Sequence, residues 1–520
     1  MTSSGAPSQF PLRVGCVDTG SNAIRFLAVE FSAAGRHTIL EYERAPIRLG
    51  HQVFLRGRLD PRTMDATTQA FRSFRERFDA LGVTHFRAVA TSAVREARNG
   101  AQLVDRIFRD SGIRLEVITG AEEARLVHRA VASRIDLSGG QWILADLGGG
   151  SVEVSLLDDA GMLWSESHTM GSVRLLEELS QAEHEPGRFR QLLEEYVSVL
   201  RIPAPATYWT PSGFIATGGN IDELAGLAAA PEDEEGVRHL DVADLDRLLQ
   251  LLTRLSYRER IARLKLREDR ADVILPAATV YLRLAREAKA ETILVPQVGV
   301  KEGLILDLMD TLTAEDGGEQ LALTQLRQSA ISLGRRFMFD EAHGLQVARL
   351  SLRLFDLLQE LHGLGRRDRQ LLMAAAILHD IGLFISFKRH HKHSLYLIYR
   401  SELPGLTPTE NLMVANIARY HRKNHPQPHH DDYMKLSPED RVRVDQLSAI
   451  VRLADALDSQ HLQVVRDVDM QVQGLDLELE LQVDGDVMLE RWAVAKKKGL
   501  FEETFGYRIS LRESATVTGT

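Results

Sequence analysis

The chain has 520 residues, 44% hydrophobic and 26% charged, with a formal net charge of −10. That balance belongs to folded domains and excludes disordered and fibrous classes, and its acidity speaks against nucleic acid as a bulk partner while leaving room for a local basic track. Cys16 is the single cysteine, which excludes a disulfide framework and fits a reducing cytoplasmic setting.

The length predicts three or four units of about 150 residues. The opening "MTSSGAPSQFP" has neither the basic end nor the apolar stretch of a signal, and no run reaches the ~18 apolar residues of a membrane span. Residues 1–12 therefore read as a loose tail, with no membrane partner expected. From Arg13, "RVGCVDTGSNAIRFLAVEF" reads as two strands around a small turn, and "HTILEYERAPIRLG" as a third strand. A helix over 61–81, the strand "FRAVAT", a helix over 98–111, the strand "RLEVIT" and a helix over 121–133 continue an α/β alternation.

After "DLSGG" the same grammar restarts in "QWILADLGGGSVEVSLLDDAGMLWSESHTMG", a duplication of pattern without close identity. Helices over 186–200, 242–254 and 268–287, the strand "FIATGGN", and "TILVPQVGVKEGLILDLM" complete this second half. Residues 311–320 read as a polar linker. Beyond it come long amphipathic helices, then from about 467 an alternating pattern that predicts a small β-rich unit, ending in a frayed "RESATVTGT". The expected domains are thus 13–134, 135–312, an all-α region 321–465 and a β-rich end 466–520.

Asp18-Thr19-Gly20-Ser21-Asn22 and Asp146-Leu147-Gly148-Gly149-Gly150-Ser151 hold equivalent places at the first turn of each repeat. Small residues let backbone N–H groups approach phosphate oxygens, and an Asp just before them suits Mg²⁺. Two such loops facing each other would grip one phosphate. Thr217-Gly218-Gly219-Asn220 precedes a predicted helix whose N-terminus favours an anion. Three separate tight turns would not account for the repeated Asp at the strand end.

The ordered motifs "VDTGSN", "TSAVREARN", "ITGAEEARL", "ADLGGGSVEV", "HTMGSVRL" and "IATGGNIDEL" resemble the exopolyphosphatase / guanosine pentaphosphate phosphohydrolase (Ppx/GppA) family, over Arg13 to about Met309. The resemblance implies duplicated actin-like (ribonuclease H-like) domains around a cleft. It implies Glu123 as the base that takes a proton from attacking water, Asp146 and Glu153 as holders of the catalytic Mg²⁺ or Mn²⁺, and Arg95 as a phosphate ligand. Residues alone do not separate Glu123 from its neighbour Glu122, which suits a helix start equally well.

In the helical region, His343, His379, Asp380 and Asp455 follow the H…HD…D order and are similar to HD-type metal phosphohydrolases, with His393 and His421 available to a second metal. The resemblance also implies that long exopolyphosphatases use this region for polymer binding and dimerisation, so a homodimer is expected. Residues 385–430 carry seven Lys/Arg against two Asp/Glu, a basic stretch suited to a polyanion.

The expected activity is hydrolysis of the terminal phosphoanhydride of inorganic polyphosphate. The alternatives are guanosine pentaphosphate (pppGpp) 5'-phosphohydrolysis, a nucleotide phosphohydrolase centred on the HD residues, and a non-catalytic polyphosphate or nucleotide sensor.

Overall fold

The computed structural model describes residues 10–33, 35–158, 161–180, 186–202, 211–313, 319–401 and 403–513. The chain divides into two compact units, Met1–Glu319 and Gln320–Thr520. Among the described residues no helix is long and apolar enough to cross a membrane.

The first unit is built on two sheets. Strands β1 (Leu12–Thr19), β2 (Ile24–Ala33), β3 (Arg36–Ala45), β4 (His85–Ala90) and β5 (Leu115–Val117) lie in the order β3-β2-β1-β4-β5. The second sheet comprises β6 (Trp142–Leu147), β7 (Val152–Asp158), β8 (Gly161–His168), β9 (Gly213–Thr217), β10 (Arg238–Asp241) and β11 (Thr292–Val295), in the order β10-β11-β9-β6-β7-β8. Each sheet has an antiparallel meander joined to parallel strands: β1 pairs antiparallel with β2 and parallel with β4, as β6 does with β7 and β9. The duplication read from the strand grammar is thus present in five strands of each sheet, with β10 an addition at the edge of the second.

The halves are not self-contained, however. The helix Gly120–Ala132, last of the first repeat, packs against β6, β7 and β8, while the helix Val300–Thr313, last of the second, packs against β1, β2 and β4. The two helices touch so closely that a Cβ on Gly303 would stand 2.1 Å from the Leu126 carbonyl oxygen. Val14, Leu27 and Val29 of one sheet therefore share a core with Leu144, Leu157 and Ile215 of the other, through Leu126, Val127, Leu304 and Ile305. Arg125 locks the pair: Nε donates to Glu122 at 2.8 Å, and Nη1 to Asp307 at 2.9 Å. Breaking a buried network of this kind by removing one partner costs about 3–5 kcal/mol. Domains cut at 134 and 312 would strand each of these helices on the wrong side.

Other departures are local. The expected helix 268–287 breaks into Glu268–Ala271 and Ile274–Glu287. In the expected linker 311–320, residues 311–313 continue a helix, 314–318 lie outside the described residues, and the next helix begins at Glu319. The tail 1–12 is described only from residue 10, and Leu12 already belongs to β1.

In the second unit the helices Glu341–Leu357, Arg366–Leu378, Pro408–Arg419 and Pro438–Ala456 stand where the amphipathic pattern placed them, and His390–Ser401 is a further helix that the pattern did not mark. The β-rich end is a three-stranded sheet of β12 (Val465–Gln473), β13 (Asp476–Val483) and β14 (Arg508–Glu513), with the helices Met488–Lys497 and Gly499–Phe505 inserted where alternation had suggested strand. Residues 512 and 513, expected to fray, extend β14. This end is no separate domain: Leu477, Leu479, Val494 and Phe501 join the same core as Leu372, Ile377 and Leu447.

Candidate functional site

In the first unit, the turns of both repeated hairpins point into one cavity of about 280 Å³. Each turn closes in the same way: Gly20 N donates to the Ala23 carbonyl at 3.1 Å, and Gly148 N to the Ser151 carbonyl at 3.0 Å. The two loops meet directly, since a Cβ on Gly149 would lie 2.9 Å from Ser21 Cβ, and one on Gly150 would lie 2.3 Å from Ser92 Oγ. The "HTMGSVRL" motif props the second loop, with Val173 N donating to the Gly149 carbonyl at 2.9 Å. At the third turn Gly218 has φ +110, and a side chain there would meet the Leu147 carbonyl oxygen at 2.6 Å. Asn220 ties this turn to the others by donating to Ser172 Oγ at 3.0 Å and accepting from Arg270 at 2.7 Å. Asp18, Gly20, Ser21, Asn22, Gly148, Gly149, Gly218 and Gly219 all line the cavity, and Gly150 and Ser151 complete the second loop.

Beside the loops, Glu123, Asp146 and Glu153 bring carboxylate oxygens within 4.8 Å of one another. The three are buried at 6%, 7% and 1% exposure. Glu122 and Glu123 differ in where each side chain turns. Thr119 caps the helix by accepting from Glu122 N at 3.2 Å, and the Glu122 carboxylate engages Arg125 and Arg87, away from the cluster. Glu123 is left facing Asp146 and Glu153.

Thr217 donates to Asp146 Oδ1 and Ser167 donates to Glu153 Oε1, both at 2.7 Å. Glu123 Oε2 and Glu153 Oε2 meet no hydrogen-bond partner among the described residues. Burial, then Glu153, pushes the Glu123 carboxyl well up, against the pull of Arg95. Burial and Asp146 push Glu153 up to about 7, and burial raises Asp146. Buried like charges with unpartnered oxygens are a poor arrangement without a counter-cation and a suitable donor set for a hard divalent one.

Arg95 reaches Glu123 instead of the loops. Its Nη1 lies 3.8 Å from Glu123 Oε2 and donates to the Ile118 carbonyl at 2.6 Å. Asp18 likewise stands apart from the carboxylate cluster, because Arg25 Nη1 holds it at 2.8 Å. Five cationic side chains that were not singled out in the sequence also line the cavity: Arg25, Arg44, Arg267, Arg270 and Lys301. Burial, with Arg25 and Arg44 nearby, lowers Arg270 to about 10. Nothing local marks these residues, since the chain has 63 Lys and Arg in all.

In the second unit, His379 and Asp380 lie just past the end of the helix Arg366–Leu378, where a turn leads into a short 3₁₀ segment, Ile381–Phe384. They are brought to His343 and Asp455. His343 Nε2 is 3.8 Å from Asp455 Oδ1, and His379 Nε2 is 3.8 Å from Asp380 Oδ2 and 3.9 Å from Asp455 Oδ1. His343 Nε2, His379 Nε2 and Asp380 Oδ1 have no hydrogen-bond partner among the described residues. His393, expected at a second metal, is not in the group: His390 takes its place beside His421 and Asp380.

Duplicated α/β halves whose glycine turns converge on buried carboxylates define an actin-like fold. Family models agree: residues 29–312 match the Ppx/GppA phosphatase family, and residues 326–497 match domain III of Ppx/GppA phosphatases. The chain belongs to the Ppx/GppA phosphatase family. It is similar to an exopolyphosphatase from Cytophaga hutchinsonii, with 28% identity and a TM-score of 0.53 over 58% of this chain and 97% of that one. A Ppx/GppA family member from Aquifex aeolicus is 25% identical, with a TM-score of 0.49 over 58% of this chain and 99% of that one.

Proposed function

We propose that this protein is an exopolyphosphatase that releases orthophosphate from the end of inorganic polyphosphate. The carrying observation is a cavity lined by the glycine turns, by Glu123 and Asp146 of the buried carboxylate cluster and by five cationic side chains. Among the described lining residues Tyr42 is the only aromatic, so the wall suits a chain of phosphates better than a guanine base. The similarity to the Cytophaga hutchinsonii exopolyphosphatase supports this reading.

The terminal phosphate would lie against the N–H groups of the two hairpin turns, with the preceding phosphates toward Arg44, Arg267 and Arg270. Asp146 and Glu153 would hold a Mg²⁺ or Mn²⁺, which when bound supplies charge neutralisation to the phosphoryl oxygens and the leaving chain. Glu123, its carboxylate kept beside Arg95, accepts the proton from the attacking water; the oxygen of that water becomes part of the released phosphate. Thr217 and Ser167 fix Asp146 and Glu153 in place.

The test compares orthophosphate release from polyphosphate and from pppGpp in Mg²⁺. Release from polyphosphate at the higher kcat/KM is expected; release from pppGpp alone would move the assignment to the guanosine pentaphosphate, and release from neither would end both readings. For the second unit, the orphaned imidazole nitrogens favour a divalent cation on His343, His379, Asp380 and Asp455. If the HD residues carried the hydrolysis, Asp380→Ala would abolish it and Glu123→Ala would not; the opposite is expected.

A further inference from the structure

The break after the helix Glu268–Ala271 leaves a short strap, Arg267 to Asp272, lying against the first repeat. Two of its carboxylates reach over: Asp272 accepts from Arg48 Nη1 at 2.7 Å, and Asp269 accepts from Arg44 Nη2. The strap is held by its backbone as well, because Asn22 Nδ2 of the first glycine turn donates to the Asp269 carbonyl at 3.2 Å.

Asp269 is a carboxylate in cationic company. Its Oδ2 faces Arg44, and its Oδ1 lies 3.9 Å from Arg267 Nε. Burial lowers the Arg44 guanidinium in spite of Asp269, and Arg267 and Arg25 add to the effect; the same charges surround Arg270. Arg25 is already paired with Asp18. Among the described residues no carboxylate other than Asp269 forms an ion pair with Arg44, Arg267 or Arg270, and all three arginines line the cavity. Nε of Arg44 and Nε of Arg270 are buried without a hydrogen-bond partner among the described residues, so donors remain for an anion that carries more oxygens than one carboxylate.

With one oxygen on Arg44 and the other toward Arg267, Asp269 sits as two oxygens of a phosphate unit would. A chain whose end is seated on the glycine turns meets these arginines at a high effective concentration and can displace a carboxylate that a free anion could not. Asp269 gives way without moving the strap. Its side chain is 15% exposed and can turn to water, while the bond from Asn22 to its carbonyl and the Arg48–Asp272 pair stay in place.

We propose that Asp269 is an internal stand-in for the phosphate chain: it occupies Arg44 and Arg267 when the cavity is empty, yields them to the chain, and by competing for them loosens the grip so that the chain can advance after each cut. This role rests on the polyphosphate reading for the nature of the chain. It makes Asp269 a specificity-determining residue, since the competition weakens a ligand long enough to reach the arginines and leaves untouched one that fills only the glycine turns.

Binding of long-chain polyphosphate and of orthophosphate to the full-length protein is measured by calorimetry in Mg²⁺, with Glu123→Gln present throughout to slow turnover. Adding Asp269→Asn should tighten polyphosphate about tenfold and leave orthophosphate within about twofold. Adding Asp272→Asn instead, which slackens the strap without freeing an arginine of the cavity, should change neither by more than about twofold. With Glu123 restored, Asp269→Asn should lower KM for long polyphosphate about tenfold and kcat about threefold, because a tighter grip slows the advance. Polyphosphate affinity that is unchanged or weaker in both Asp269→Asn and Asp269→Ser overturns the competition, and so does an equal gain in Asp272→Asn. A lowered KM with kcat unaltered overturns the part in chain advance. If the tenfold gain in binding is seen but the unaltered protein releases no orthophosphate from polyphosphate, the competition stands and the polyphosphate reading falls.

Discussion

Asp18 and Asp146 hold the same place in two hairpins of the same design, and what faces them differs. Across β1 and β2 the partner of Asp18 is Arg25; across β6 and β7 the partner of Asp146 is Glu153. The first pair neutralises itself in a 2.8 Å ion pair, whereas the second sets like charges side by side and adds Glu123. Like charges directly opposite on a sheet destabilise it, so the second hairpin gives up stability that the first keeps. Duplication supplied two glycine turns, and one cross-strand position set only one of them beside a cluster of like-charged carboxylates.

Changing that position should break the contrast most severely. Glu153→Arg copies the first hairpin onto the second, and polyphosphate hydrolysis should fall by at least ~10³-fold while stability without divalent cations rises; activity and melting temperature measured together check this. Glu123→Gln leaves both hairpins intact and removes only the proton acceptor, for a loss of about 10²–10⁴-fold in kcat with KM little altered.

Arg25→Met tests the other side, by orphaning buried Asp18. A stability loss of roughly 2–3 kcal/mol by denaturant melts is expected, with kcat reduced less than in Glu123→Gln. Arg270→Gln should raise KM for polyphosphate about tenfold and flatten its salt dependence, with kcat nearly unchanged.

A last effect concerns Asp222, a half-buried carboxylate outside both hairpins. Burial, against the pull of Lys301 and Arg270, raises it from 3.8 to about 6. The folded protein then holds a proton that the unfolded chain has released, so stability falls as pH rises between those values. Asp222→Asn should remove that slope and stabilise the protein near neutral pH by roughly 2–3 kcal/mol, seen as a flatter profile of melting temperature against pH.

Strand grammar and local turn chemistry made the duplicated hairpins, their glycine turns and the helical region legible, because they depend on neighbours in sequence. Glu123 could be separated from Glu122 only through the family resemblance, since the difference lies in which side chain Arg125 and Arg87 draw away. Arg44, Arg267, Arg270 and Lys301 went unnoticed because three segments distant in sequence bring them together, among many similar residues. His390 was passed over for His393 because the choice depends on where the helix His390–Ser401 begins relative to His421.

The exchange of closing helices between the two sheets carries a consequence for how the protein is made. The β1–β2 face that Val14, Leu27 and Val29 present is covered by Leu304, Ile305 and Met309, which are synthesised long after it. At ~5–20 residues per second the ribosome takes roughly 10–35 s to pass from the first closing helix to the end of the second. Throughout that interval the N-terminal half has its strands but not the helix that covers them, and it must wait, exposed, for the rest of the chain.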